Sequence, residues 1–196
     1  MLTAGIRKNF GAHTAARAHD AGVRVLAQAK TSTPCGAAPV WFETDAIEFL
    51  GNPALADEIF GPSSLVVWCK DGAEMAAVAR HLEGSLTATL LTGATELGDQ
   101  SALVDLLAAK AGRLVLNGFP TGVEVSHAMV HAGPYPATSD GGRSTSVGTR
   151  ALDRWSRLIC YQNFSESLLP PELQSANPLG LLRLVNGQWT RDGIVI

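Results

Sequence analysis

Apolar residues in the middle of the chain follow two alternating periods, and glycine marks most of the changes between them. Ser64–Leu65–Val66–Val67–Trp68–Cys69 is a short apolar run, rich in β-formers and too brief for a free-standing helix. Asp71–Gly72 breaks it. Met75, Val78, Ala79 and Leu82 then recur at i, i+3, i+4 and i+7, one face of a helix that Gly84 stops. Leu86 to Leu91 reads as a second strand, and Thr92–Gly93 ends it. Leu103, Leu106 and Leu107 mark a second helix ending at Gly112, and Arg113 to Asn117 is a third strand. Strand, helix, strand, helix, strand with such short joints predicts an α/β fold. Its core is a parallel βαβαβ unit joined by right-handed crossovers. A parallel sheet places its site in the crevice beyond the carboxyl ends of its strands. Here those ends are Lys70–Asp71, Thr92–Gly93 and Asn117–Gly118–Phe119–Pro120. The last opens into a long aperiodic loop, Thr121 to about Val147, that carries two His and a Tyr. Such a loop inside a compact domain points to function.

The flanks are less regular. Leu2 to about Lys30 is helical in composition, with Ile6, Phe10, Val23 and Leu26 among many Ala, and predicts a long helix interrupted near Gly11. No N-cap residue or lead-in precedes it, as though another segment came before. Thr33–Gly36 is a turn, Ala38–Glu43 a strand, and Asp45–Leu50 a short helix capped by Thr44 or Asp45. Asn52–Pro53 starts a further turn of helix to Asp57. Beyond the loop, Ser144–Trp155 holds a short helix with Leu152 and Trp155, and Arg157–Gln162 reads as a strand. Pro170–Pro171 opens a tail in which Leu182–Val185, Asn186–Gly187 and Gln188–Thr190 form a small hairpin, since Asn-Gly favours a type I′ turn. The expected division is residues 1–150 as core and 151–196 as strand and tail.

At 196 residues the chain suits one domain with a small appendage. A chain of this length buries roughly 70% of its unfolded surface and needs no covalent staples. Fifteen basic against 18 acidic residues leave a net charge of −3 without like-charge runs, which argues against nucleic acid or anionic membrane as partner. No apolar stretch approaches the roughly 20 residues that span a bilayer, and Met1–Phe10 lacks a signal-peptide core, so a cytoplasmic protein is expected. Cys35, Cys69 and Cys160 are an odd count without paired spacing, which disfavours disulfides and a thiolate metal site.

Few side chains stand out chemically. Glu58 and Phe60 flank Ile59 before Gly61–Pro62. They read either as a surface acid and core aromatic beside a turn, or as a carboxylate for sugar hydroxyls with an aromatic face for a planar ring. His127 and His131 are four apart but lack a third ligand, so they read as pocket-lining rather than metal-binding. Gly141–Gly142–Arg143–Ser144 resembles a loose anion nest. Neither glycine-rich nucleotide motif occurs, and no G-x-S-x-G elbow. Cys35 sits in a turn, while Cys69 and Cys160 read as inert core thiols within strands.

Taken together and in order, these segments resemble the aldehyde dehydrogenase superfamily. Glu58–Ile59–Phe60–Gly61–Pro62 is similar to its E-[IV]-F-G-P segment, Leu86–Thr87–Ala88 to the next strand, and Gly112–Asn117 to the strand ending in V-N. Gly118 to Val125, His131 to Asp140 and Ser146 to Arg150 resemble a narrower branch, the α-ketoglutaric semialdehyde (2,5-dioxopentanoate) dehydrogenases. The likeness runs from Leu2 to about Trp189. It implies oxidation of an aldehyde to a carboxylate. A Cys thiolate attacks, hydride passes to NAD or NADP, and a Glu-activated water hydrolyses the thioester. By the same resemblance, Glu58 binds the nicotinamide ribose and Phe60 packs beside the nicotinamide. Phe119, Pro120 and Thr121 line the aldehyde tunnel, and the 157–162 strand pairs with a neighbouring subunit in an oligomer.

The resemblance also sets a limit. The family's nucleophilic Cys, general-base Glu, oxyanion-stabilising Asn and dinucleotide fold lie upstream of the equivalent of Leu2, and nothing here substitutes for them. The expectation is therefore the carboxy-terminal part of such an enzyme, inactive alone. The alternative is a non-catalytic module docking onto full-length relatives through 157–162. A third reading is an unrelated α/β enzyme using Cys35.

Overall fold

The computed structural model describes residues 1, 3–31, 36–93, 100–120, 122 and 126–194. The chain divides into two compact units, Met1–Trp155 and Ser156–Ile196.

The first unit opens with α1 (Ala4–Arg17), which runs through Gly11 without a break. Two further expectations fail here. Thr3 is an N-cap, its side chain accepting from the Ile6 amide at 3.2 Å. The remainder of the supposed helix is instead a strand, β1 (Arg24–Gln28). The helix stops at Arg17, and Gly22, whose φ of 71° favours glycine, lies in the turn that leads into β1. β1 pairs antiparallel with β2 (Val40–Asp45), and β2 pairs parallel with β3 (Ser63–Trp68). Between them lie α2 (Ala46–Gly51) and a 3-10 helix, Pro53–Ala56. Asp45 caps α2 by accepting from the Glu48 amide at 2.9 Å, and Asn52 caps the 3-10 helix.

The core of this unit is small: Phe10, Val23, Val40, Phe42, Phe49 and Leu55. Arg17 is buried beside it, its guanidinium donating to the carbonyls of Leu55 (2.8 Å) and Ala54 (2.7 Å) and pairing with Asp20. Glu43 ties all three strands together, since it pairs with Arg24 of β1 at 2.7 Å and accepts from the Trp68 indole of β3 at 2.9 Å.

The helix–strand alternation continues as read from the sequence, with α3 (Gly72–His81), β4 (Ser85–Leu90), α4 (Ser101–Lys110) and β5 (Ala111–Leu116). β4 and β5 are parallel and in register from Ser85–Ala111 to Leu90–Leu116. The three strands of the expected βαβαβ unit do not share one sheet, however. β3 belongs to the three-stranded sheet and β4–β5 form a separate pair. Helices α2, α3 and α4 pack in sequence, and α2 lies against β2 and β3 while α4 lies against β4 and β5. Gly112 does not cap α4 either. It is already in β5, where an added Cβ would stand 1.7 Å from the Ala132 carbonyl oxygen, so its role is close backbone approach.

A 3-10 helix, Thr149–Trp155, closes the first unit. In the second unit, Arg157–Gln162 is not a strand: these residues are exposed and have no ladder partner among the described residues. An apolar extended segment without a neighbour has nothing to hydrogen-bond. The hairpin is present as β6 (Arg183–Val185) and β7 (Gln188–Thr190), turning through Asn186 (φ 49°) and Gly187 (φ 84°). Asn177 supports it by donating to the carbonyls of Leu181 and Arg191. None of the described helices is long and apolar enough to cross a membrane.

Candidate functional site

The carboxyl ends of the strands are finished by short polar devices. Beyond β3, Asp71 caps α3 by accepting from the Glu74 amide at 2.8 Å, and Glu74 in turn accepts from the Lys70 amide and pairs with its ammonium. This arrangement differs from a capping box in that the Glu74 side chain reaches back to the amide of Lys70, the residue before the N-cap, rather than to that of Asp71. It lowers the Glu74 pKa and raises that of Lys70, in both cases chiefly through their mutual hydrogen bond. Beyond β4 and β5, Asn117 takes a left-handed φ of 51°. Its amide donates to the Leu90 carbonyl, and its side-chain oxygen accepts from the Thr92 amide, each at 2.9 Å. Asn117 thus fastens the two strand ends together and releases Gly118–Phe119–Pro120 into the loop.

A cleft of about 1020 Å³ lies in this unit. Among its walls are Asp57, Glu58, His81, Leu82, Leu86, Arg113, Pro120 and His131. It therefore brings together the turn after the Pro53–Ala56 helix and the chain just past β5, two segments far apart in sequence. Glu58 is exposed, and its carboxylate has no hydrogen-bond or ion-pair partner among the described residues. Phe60 and Phe119 are 69% and 81% exposed and are not among the residues that wall the cleft. Thr121 lies outside the described residues, as do Cys35 and the rest of the Thr33–Cys35 turn.

The loop after β5 is held by its own polar groups. Thr145, 4% exposed, accepts from the His131 amide at 2.8 Å, and the His131 ring bonds the Ser146 hydroxyl. The His127 ring bonds the Thr149 hydroxyl. The stretch that resembles an anion nest is filled by the chain itself. The Asp140 carboxylate accepts from the Thr138 hydroxyl, the Gly142 amide, and the Ser144 amide and hydroxyl. These donors, the Ser144 hydroxyl foremost, pull the Asp140 pKa down to about 2. Gly84, Gly112 and Gly133 let this loop lie against the starts of β4 and β5, with Cβ positions within 2.3 Å of neighbouring carbonyl oxygens.

Arg113 and His81 in the cleft escaped sequence reasoning. The Arg113 guanidinium donates to the Gly122 carbonyl at 2.7 Å. Its only advance signal is a cation inside an apolar strand. Two cysteines also differ from expectation. Cys69 lies just past β3, half-buried, with its pKa raised by burial first and by Glu74 and Asp71 next. Cys160 is exposed, because the segment carrying it is not a core strand. No group of three or more metal-ligating side chains occurs among the described residues.

Comparison with known proteins gives this geometry a context. No family model matches the chain. It is 46% identical over 189 residues to the α-ketoglutaric semialdehyde dehydrogenase 2 of Azospirillum brasilense, covering 96% of this chain and 36% of that relative. It is 44% identical over 194 residues to the α-ketoglutaric semialdehyde dehydrogenase of Acinetobacter baylyi, covering 98% of this chain and 37% of the relative. The chain belongs to the aldehyde dehydrogenase superfamily. It spans little more than a third of the length of these curated relatives. The fold agrees. An NAD+ complex of the aldehyde dehydrogenase from Bacillus cereus matches with a TM-score of 0.61 at 20% identity, over 80% of this chain and 29% of that one. The Δ-pyrroline-5-carboxylate dehydrogenase from Mycobacterium tuberculosis bound with NAD matches with a TM-score of 0.57 at 16% identity, over 87% and 31%. At such identities these two show the fold alone.

Proposed function

We propose that this aldehyde dehydrogenase chain supplies one wall of the site of an NAD(P)-dependent enzyme oxidising α-ketoglutaric semialdehyde to its carboxylic acid. By itself it turns nothing over. The observation that carries the reading is that Glu58 and Pro120 wall the same cleft. An exposed carboxylate without an internal partner is suited to accept hydrogen bonds from vicinal ribose hydroxyls, the role assigned to Glu58. Phe60, two residues on, offers an exposed aromatic face to a planar nicotinamide ring. Phe119, Pro120 and Thr121 are assigned to the aldehyde channel, where apolar walls exclude water from the reacting carbonyl. When bound, NAD(P)+ accepts the hydride that leaves the aldehyde carbon. The nucleophilic thiolate and the base that activates the hydrolytic water are assigned to sequence outside this chain. Among the described residues, Cys69 is ill suited to the task, since its raised pKa leaves less thiolate.

The exposed segment 157–162, with Leu158 99% exposed, is assigned to strand pairing with a neighbouring subunit.

The experiment is to co-express the chain with the part of a relative that lies outside the matched region and to follow aldehyde-dependent NAD(P)H formation. The chain alone is expected to give none and the combination a measurable rate. Glu58→Gln raises the apparent KM for the dinucleotide about tenfold, the loss of one charge-assisted hydrogen bond. Turnover by the chain alone, or a Glu58→Gln combination with unchanged KM, overturns the reading.

A further inference from the structure

His131 commits nearly all of its polar atoms to one short stretch of the loop. Its amide donates to the Thr145 hydroxyl at 2.8 Å, and its carbonyl accepts from the Ser146 amide at 3.2 Å. The Ser146 Oγ lies 3.2 Å from that same carbonyl and 2.9 Å from the ring Nδ1. A hydroxyl has a single proton to give, and a carbonyl oxygen only accepts. Both contacts are hydrogen bonds at once only if the hydroxyl donates to the carbonyl and Nδ1–H donates to Oγ. The network therefore assigns the Nδ1-protonated tautomer. Nδ1 holds its proton whether the ring is neutral or charged, and only Nε2 gains or loses one. Nε2 is also the one polar atom of His131 without a partner among the described residues.

His131 walls the cleft of about 1020 Å³ that Glu58 and Pro120 also wall. The close approach of Gly112 to the Ala132 carbonyl sets their neighbours, Arg113 and His131, near one another in that wall. Charge in the cleft is sorted. Its carboxylates, Asp57, Glu58 and Glu83, come from the turn before β3 and from the chain just past α3. Of its cations, His81 sets its ring edge-on against Phe49, with 5.6 Å between centroids. Arg113 gives Nη1 to the Gly122 carbonyl and pairs with no carboxylate among the described residues. His131 also walls a second hollow of about 580 Å³. There Asp140 is satisfied by the loop's own donors, and Asp153 is paired with Arg150. Arg143 and Arg154, in the same hollow, have no carboxylate partner among the described residues. The surroundings of His131 are thus short of anions.

We infer that His131 and Arg113 recognise the carboxylate of a 2-oxo acid aldehyde and so select the substrate at this site. Protonated Nε2 donates to one carboxylate oxygen, and the Arg113 nitrogens not bonded to Gly122 donate to the other. Charge-assisted hydrogen bonds of this kind are the strong ones. Protonating Nε2 breaks no internal bond, since Nδ1 already donates. α-Ketoglutaric semialdehyde carries its carboxylate and its aldehyde at opposite ends. An anion held at Arg113 and His131 leaves the aldehyde for the channel assigned to Pro120, which walls the same cleft. An aldehyde without an anionic end leaves both cations unpaired and is rejected on that ground. The inference rests on the family reading above and adds the groups that choose among aldehydes. Its first test needs no turnover, so the two fail separately.

Diethyl pyrocarbonate acylates the lone pair of an unprotonated histidine nitrogen, and peptide mass mapping reads each histidine of the purified chain. 2-Oxoglutarate, a stable carrier of the same 2-oxo acid end, is expected at saturating concentration to slow modification of His131 at least about tenfold, with exposed His13 and His19 unchanged. Its uncharged dimethyl ester gives no protection. Equal modification with and without 2-oxoglutarate overturns the inference. So does equal protection by the ester, or protection by inorganic phosphate alone. In the complex co-expressed as above, His131→Phe raises KM for α-ketoglutaric semialdehyde about 30-fold, with kcat and the KM for pentanal within about twofold. An equal loss on both aldehydes marks a structural role and overturns the inference too. The labelling needs no variant, so it decides even where His131→Phe misfolds.

Discussion

Arg17 and Asp140 each hold a segment that has no periodicity of its own. Arg17 is 7% exposed and satisfies two carbonyls at the end of the Pro53–Ala56 helix, immediately before Glu58. Arg17→Met leaves both acceptors without their donor. It is expected to cost about 2–4 kcal/mol, read from the urea midpoint, whereas a shift below about 0.5 kcal/mol would show the contacts to be incidental. Asp140 organises the loop through four donor groups. Its folded pKa of about 2 lies below the ordinary 3.8. The stabilisation is therefore fully present above the ordinary value and is lost as pH falls through about 2. Asp140→Ala should make residues 138–145 the first site of proteolytic nicking at neutral pH, with the far-ultraviolet spectrum unchanged. Equal nicking rates in the two proteins would refute that role.

At the scale of elements, most of what the sequence could say concerned where strands and helices lie, because that depends on local period. The core helices and strands, the Asn186–Gly187 hairpin and the capped α2 appear where the pattern puts them. Sheet membership is a different matter. Leu65 and Leu86 have the same local signature, and only a long-range fact separates β3 from β4. The helix expected through Lys30 failed for a related reason. Val23–Leu26 has too few residues to distinguish a period of 3.6 from one of 2, and the pairing with β2 decides it. The resemblance singles out Glu58 and Pro120, and the structure places both on the walls of one cleft. The roles of Arg113 in the cleft and of Asp140 in the loop were not legible, since they depend on partners within the loop. Gly112 shows how one position can be read rightly as glycine and wrongly as to cause. Gly112→Ala must push the Ala132 carbonyl off β5, and a loss above about 2 kcal/mol is expected in thermal or chemical unfolding. Wild-type stability in that variant would mean that the loop does not rest there.

For the whole molecule, the large accessible area implies a shallow unfolding transition. The denaturant slope scales with surface newly exposed, so the urea m-value of the chain alone should fall short of that of a compact protein of equal length. It should rise for the same chain within a complex. A full-size slope for the isolated chain would show that it already buries its share. The account's central claim is that this chain holds one wall of an aldehyde dehydrogenase site and not the reactive sulfur. The most direct measurement is NAD(P)H formation from α-ketoglutaric semialdehyde, taken on the purified chain and on the chain co-expressed with the complementary portion of a relative. The account predicts no rate from the first and a Glu58-dependent rate from the second. Equal rates from both would contradict it.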